Sequence, residues 1–305
     1  MKMRTAFAAL GIVAAGLTTT AIVNQVNHSH AGPSLGYFSH DYQVPLSQRA
    51  EFHVSGDAAE GDMEGNAYLG KVIYPDGEEF VEFYSPIAVS DFDADRDDGR
   101  LISIHGGSNI TSGIAGKHYL GGYADGSNTS HISDEDIAAF ETDLLRVMAN
   151  KNLNNYIDMG GNPTFEFTIT FELPVKDDDE GPDVHGELLY FERGTGGGNS
   201  WLTMQAVDED GNALGPAIAI SPEETFRTTP EFSVYRSGQK IGGLAIDVSR
   251  LGVSEVQHLR LRRTVSTDDG HGALSRGGVD YQPDFKLMAV ITHPDHLSIL
   301  SALYD

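Results

Sequence analysis

The chain has 305 residues and no cysteine, and its 45 acidic against 20 basic residues give a formal net charge of −25. That charge excludes a nucleic-acid or anionic-membrane partner by repulsion, and it favours solubility and cation binding. Without cysteine there is no disulfide framework, so the fold must rest on its core, or on core plus ions. A 40% hydrophobic content with 35 glycines suits many short strands joined by turns.

The N-terminus carries Lys2 and Arg4, an uncharged run from Thr5 to Val23, and small residues at Ser29 and Ala31. This pattern is that of a secretory signal cleaved after Ala31. Retention as an anchor is the alternative, since the run could nearly span a bilayer were it not for Thr18 to Thr20. No later stretch is long or apolar enough to cross a membrane. The expectation is a signal peptide over 1–31 and an exported chain over 32–305. The remainder is long enough for one large β-sandwich domain, with a sub-boundary near 125–133 as the two-domain alternative.

In chain order, Val72 to Tyr74, the Pro75-Asp76-Gly77 turn and Phe80 to Tyr84 predict a hairpin, because Asp-Gly takes the positive φ angles of a tight turn. Ser103 to Ser130, rich in Gly, Ser, Thr and Asn, reads as a long surface loop. One helix follows. Ser133 can cap it, Asp134 to Asp136 complement its dipole, and Ile137, Phe140, Leu144, Val147 and Met148 share one face.

The rest is β. Phe165, Phe167, Ile169 and Phe171 alternate with Thr164, Glu166, Thr168, Thr170 and Glu172, the pattern of a half-buried strand. Leu202, Met204 and Ala206 alternate with Trp201, Thr203 and Gln205. Asp208 to Asn212 then turns the chain into Ala213 to Ile220. Leu244 to Val248, Val256 to Arg263 and Phe285 to Ile291 complete the set, with Leu259 and Leu261 opposed to His258, Arg260 and Arg262. Strands at this spacing predict a mainly β fold, an antiparallel β-sandwich of jelly-roll type with one amphipathic helix.

Chemistry-bearing residues are few. Asp91, Asp93, Asp95, Asp97 and Asp98, ending on Gly99, could point several carboxylates at one Ca²⁺, which wants six to eight oxygens. They depart from the EF-hand rule at its glycine and final glutamate, and a solvated acidic turn between strands is the simpler reading. Asp177 to Asp183 is a second acidic run, and Asp208 with Asp210 is accounted for by turn geometry. Trp201, the sole tryptophan, alternates outward and is a candidate for stacking on a glycan; cover by another layer is the alternative. His293 and His296 flank Pro294, which argues against a shared helical face for zinc. Glu187 and Glu192 lie five apart on one strand, hence on opposite faces, which disfavours a glycosidase pair. No nucleophile elbow, phosphate loop or dinucleotide fingerprint is present.

The segments NLNNYID (Asn152 to Asp158), GELLYFERGTGGGNSWLTMQAVDEDGNALG (Gly186 to Gly215), GGLAIDVSRLGVSEVQHLRL (Gly242 to Leu261) and PDFKLMAV (Pro283 to Val290) occur in an order that resembles the exosortase-dependent surface proteins. The resemblance spans roughly Phe140 to Val290 and implies a secreted bacterial β-protein at the cell surface, without an activity. It also implies a structural role for Glu192-Arg193-Gly194. The family's sorting tail has a Pro-Glu-Pro-like motif, an apolar helix and a basic end. HPDHLSILSALYD departs from it, which points to free secretion or non-covalent attachment. The leading expectation is therefore a non-catalytic structural or adhesive protein of the extracellular matrix, with surface glycans or other surface proteins as partners. A Ca²⁺-dependent carbohydrate-binding module is the alternative, and a secreted hydrolase the third.

Overall fold

The computed structural model describes residues 50–56, 66–94, 102–106, 116–119, 134–159, 165–177, 185–193, 202–220, 226–227, 233–234, 239–263 and 284–291. In chain order these form β1 (Glu51–Gly56), β2 (Ala67–Ile73), β3 (Glu79–Phe80), β4 (Phe83–Tyr84), β5 (Ala88–Ala94), β6 (Ile102–Gly106) and β7 (Gly116–Tyr119). The helix α1 (Asp134–Met148) precedes β8 (Tyr156–Met159), β9 (Phe165–Lys176), β10 (Leu188–Arg193), β11 (Leu202–Val207) and β12 (Ile218–Ile220). Then come β13 (Phe226–Arg227), β14 (Ser233–Val234), β15 (Gln239–Ile246), β16 (Glu255–Arg263) and β17 (Phe285–Val290). The fold is mainly β, with antiparallel sheets and, among the described residues, one α-helix.

Five strands form one sheet in the order β12-β11-β16-β9-β5. Its inner face is the one the alternation predicts: Phe165, Phe167, Ile169, Phe171, Leu202, Met204, Ala206, Leu259 and Leu261 are all buried. Its outer face is polar. The Nε atoms of Arg260 and Arg262 each lie 3.5 Å from a Glu166 carboxylate oxygen, and Thr170 Oγ1 is 2.9 Å from His258 Nδ1. Such cross-strand pairs satisfy a wet face without burying apolar surface.

Nine strands form the second sheet, whose main path runs β13-β15-β10-β17-β8-β6-β7; β14 adds to β15 and β4 to β17. Leu188, Tyr190, Leu244, Ile246, Phe285 and Leu287 from this sheet join the inner face of the first in one core. The Phe285 ring stacks near Phe165, Phe167 and Tyr190, with centroids 6.4, 6.3 and 5.9 Å away. Two sheets packed face to face in this way make a sandwich.

The nine-stranded sheet is also covered on its other side. Leu189, Phe191, Ile241, Ala245, Met288 and Val290 pack against Phe52, Val54, Leu69 and Val72 of a third sheet, β1-β2-β3, and against Tyr74 just after β2. Every residue of β17 is consequently buried. Gly243 permits this close approach: a β-carbon there would sit 2.7 Å from the Phe52 ring. The helix packs beside β5, β6 and β8. Phe140, Leu144, Val147 and Met148 are buried as the spacing predicts, with Ile137 at the margin. Ser133 lies outside the described residues.

Two expectations change. Phe80 to Tyr84 is not one strand: Phe80 pairs with Val72 in the small sheet, whereas Phe83 and Tyr84 pair with Val290 and Ala289 in the nine-stranded sheet. The chain crosses between layers at Val81 and Glu82, a step that local turn chemistry does not encode. The stretch read as a surface loop contains β6 and β7, and β6 pairs with β8 so that wholly buried Ile104 faces Ile157. A strand that supplies the ladder with backbone groups needs few apolar side chains, so Gly- and Ser-rich sequence hides it.

Candidate functional site

At the turn between β2 and β3, Gly77 donates its N–H to Tyr74 O at 2.9 Å and takes a φ of 93°, a conformation that favours glycine. Tyr74 N–H donates to Glu78 O, also at 2.9 Å. Asp76 Oδ1 accepts the Glu78 N–H at 2.9 Å, which fixes the Asp76 carboxylate over the turn. Its second oxygen lies 2.9 Å from Nε2 of His185, a residue 109 positions away just ahead of β10. Glu78 Oε2 lies 3.5 Å from the same nitrogen. The three donor atoms all fall within 4.8 Å of one another.

The imidazole is held from its sides. Tyr74 and Phe80 place ring centroids 4.7 and 5.8 Å from it, and the Tyr74 hydroxyl donates to the backbone carbonyl of Gly186. The His185 side chain is 9% exposed, whereas Asp76 and Glu78 are about half exposed at 47% and 53%. The Glu78 N–H, with help from His185, holds the Asp76 carboxyl below its ordinary value of 3.8. An imidazole edge facing two carboxylates can share a proton with them or offer a mixed nitrogen and oxygen ligand set to a metal. The sequence reading saw Asp76 only as a turn residue and passed over His185. No spacing rule links residues that far apart, although Asp-x-Glu in a tight turn was a usable signal.

Four other buried ionisable groups, Glu187, Glu192, Asp247 and Lys286, bind backbone groups. Glu192 Oε1 accepts the Asp284 N–H at 2.9 Å and its other oxygen accepts the Tyr190 hydroxyl, while Glu187 Oε2 accepts the Val248 N–H at 2.9 Å. The two glutamates thus hold different donors. Asp247 accepts the Ser249 N–H at 2.6 Å and caps the 3-10 turn Val248–Leu251, which left-handed Gly252 ends. Lys286 Nζ donates to Val147 O at 2.6 Å, and to Asn150 Oδ1 and Asn155 O at 3.3 Å each. It therefore caps the carbonyl end of α1 from inside the protein, and burial pushes its ammonium well below the usual lysine range. Tyr84 Oη and Ser85 Oγ are buried without a protein partner among the described residues. Burial, then the Glu187 charge, raises the Tyr84 phenol above its ordinary value.

Of the acidic candidates, Asp91 and Asp93 stand on β5 and not in a loop, because Phe92 and Ala94 between and after them enter the core. Both carboxylates face solvent. Asp93 lies opposite Glu166, and a bulge between Ser90 and Asp93 accompanies the positive φ of 57° at Asp91. Asp95, Asp97 and Asp98 lie outside the described residues, as do 178–183, Trp201, Gly194, His293 and His296. Asp177 donates its N–H to Ser254 O. Asp208 Oδ1 accepts the N–H groups of Asp210 and Asn212 at 3.0 and 2.7 Å, the hydrogen bonds of a formed turn. Hydrogen bonds from Asn212, side chain before backbone, hold its carboxyl below the usual range.

Fold and site together define a cysteine-free, mainly β protein of face-to-face antiparallel sheets with, among the described residues, one Asp-Glu-His cluster at a layer junction. Compared with family models, with curated proteins and with solved structures, the chain matches none.

Proposed function

We propose that the chain is a secreted, non-catalytic structural or adhesive protein of the cell surface or extracellular matrix, with surface glycans or other surface proteins as partners. The observation that carries this reading is the use of the buried charges. Glu187, Glu192, Asp247 and Lys286 each bind backbone groups that end or join elements of the central layers. Charges committed in this way stiffen a scaffold. The signal-like N-terminus and the likeness of four ordered segments to exosortase-dependent surface proteins support the location. The net charge of −25 supports a protein that stays soluble outside the cell and does not bind nucleic acid.

Fractionation of the native host, followed by protease treatment of intact cells and intact mass measurement, tests the reading. The expected result is protein in the medium or on the cell surface, accessible to protease, with a mass that starts after Ala31. Cytosolic protein that retains Met1 would overturn it.

A further inference from the structure

We propose that Asp76, Glu78 and His185 bind a first-row divalent cation of the Zn²⁺ class, which clamps the β2–β3 turn to the segment entering β10. Donor chemistry selects the ion. One imidazole nitrogen with two carboxylate oxygens suits Zn²⁺ and its neighbours, whereas Ca²⁺ favours six to eight oxygen ligands.

Spacing agrees with that choice. Metal–ligand bonds of about 2.0–2.2 Å put neighbouring donors roughly 3–3.5 Å apart in tetrahedral or octahedral shells. His185 Nε2 already lies 2.9 Å from Asp76 Oδ2 and 3.5 Å from Glu78 Oε2. The half-exposed carboxylates need only side-chain rotation to close on one ion, and their exposure leaves the remaining positions to water. The imidazole needs no ordering, since Tyr74 and Phe80 already fix its ring.

Charge points the same way. One oxygen of each carboxylate faces the same His185 Nε2, so two acidic groups converge on one nitrogen. Among the described residues, neither Asp76 nor Glu78 forms an ion pair with Lys or Arg; His185 is their common partner. A divalent cation neutralises both. It would also cross-link positions 109 residues apart in a chain without cysteine, the long-loop closure that a disulfide provides elsewhere.

The test uses the full chain without a histidine tag, stripped with chelator and then titrated with Zn²⁺, Co²⁺, Mn²⁺ or Ca²⁺. Thermal unfolding should show Zn²⁺ at about a hundred times its Kd raising Tm by roughly 5 °C or more. Co²⁺ should give a visible d–d band at one equivalent. Asp76→Asn with Glu78→Gln, on the exposed turn, should keep the metal-free Tm within a few degrees and lose both signals. His185→Gln should lose the Co²⁺ band as well. No shift with any ion, a shift with Ca²⁺ in place of Zn²⁺, or an undiminished shift in the double variant would each overturn the proposal and leave a metal-free His–carboxylate latch.

Discussion

The five-stranded sheet and the centre of the nine-stranded sheet feed one shared core but meet different surroundings. In β9, β11 and β16 Phe165 to Phe171, Leu202 to Ala206 and Leu259 to Leu261 send alternate side chains into the core, and Glu166, Thr170, His258, Arg260 and Arg262 on the other face meet one another as Arg–Glu and Thr–His pairs. In β10 and β17 both faces are covered, one by the five-stranded sheet and the other by β1–β2. A polar group in the first region can turn to solvent. A polar group in the second must find a partner inside, and Glu192 and Lys286 do so by capping backbone groups. Polarity is therefore cheap on one sheet and a matter of architecture on the other.

The largest test of this contrast is Phe285→Ala, which removes a ring shared by both inner faces and should cost about 3–5 kcal/mol in chemical denaturation. Lys286→Met should cost about 1–3 kcal/mol at neutral pH by removing the buried hydrogen bonds to Val147 O, Asn150 Oδ1 and Asn155 O. Its pH signature follows from the lowered folded pKa. Between that value and the ordinary 10.5 the unfolded chain binds more protons, so wild-type stability should rise with pH relative to Lys286→Met. A flat difference across that window would mean the ammonium is as well solvated inside as outside.

Gly243→Ala should cost about 1–3 kcal/mol through the Phe52 ring, and the cost should shrink when Phe52→Ala is already present. Additivity of the two would mean that the third layer does not press on Gly243. The smallest effect belongs to the wet face, where Arg262→Ala should cost no more than about 1 kcal/mol. The cost of Asp76→Asn should depend on pH. Its folded carboxyl is held below 3.8, so its contribution is present above that value and lost as pH falls through the folded pKa. The gap between wild type and variant should therefore narrow below pH 3.8.

The same contrast decides what the sequence could disclose. Phe165 to Phe171, Leu202 to Ala206 and Leu259 to Leu261 were legible because one face is wet and period-two alternation marks it. The amphipathic stripe of α1 was legible for the corresponding reason. In LLYFER and FKLMAV both faces are covered, so the pattern reads as an apolar run and says nothing about which layer lies on the second side. The third layer, the crossing at Val81 and Glu82, and the approach of His185 to Asp76 are all consequences of that unseen packing. The Asp91 to Asp98 run drew attention by composition, yet its first two members are outward residues of a strand.

The most direct test of the three-layer account places a charge on each kind of face and measures unfolding in denaturant. Met288→Lys enters the surface of β17 that packs against β1–β2, and Thr203→Lys enters the half-exposed outer face of β11. The account predicts that Met288→Lys loses roughly 3 kcal/mol or more, or fails to fold, while Thr203→Lys stays within about 1 kcal/mol of wild type. Equal tolerance of lysine at the two positions would contradict it, because the second face of the central sheet would then be open to water.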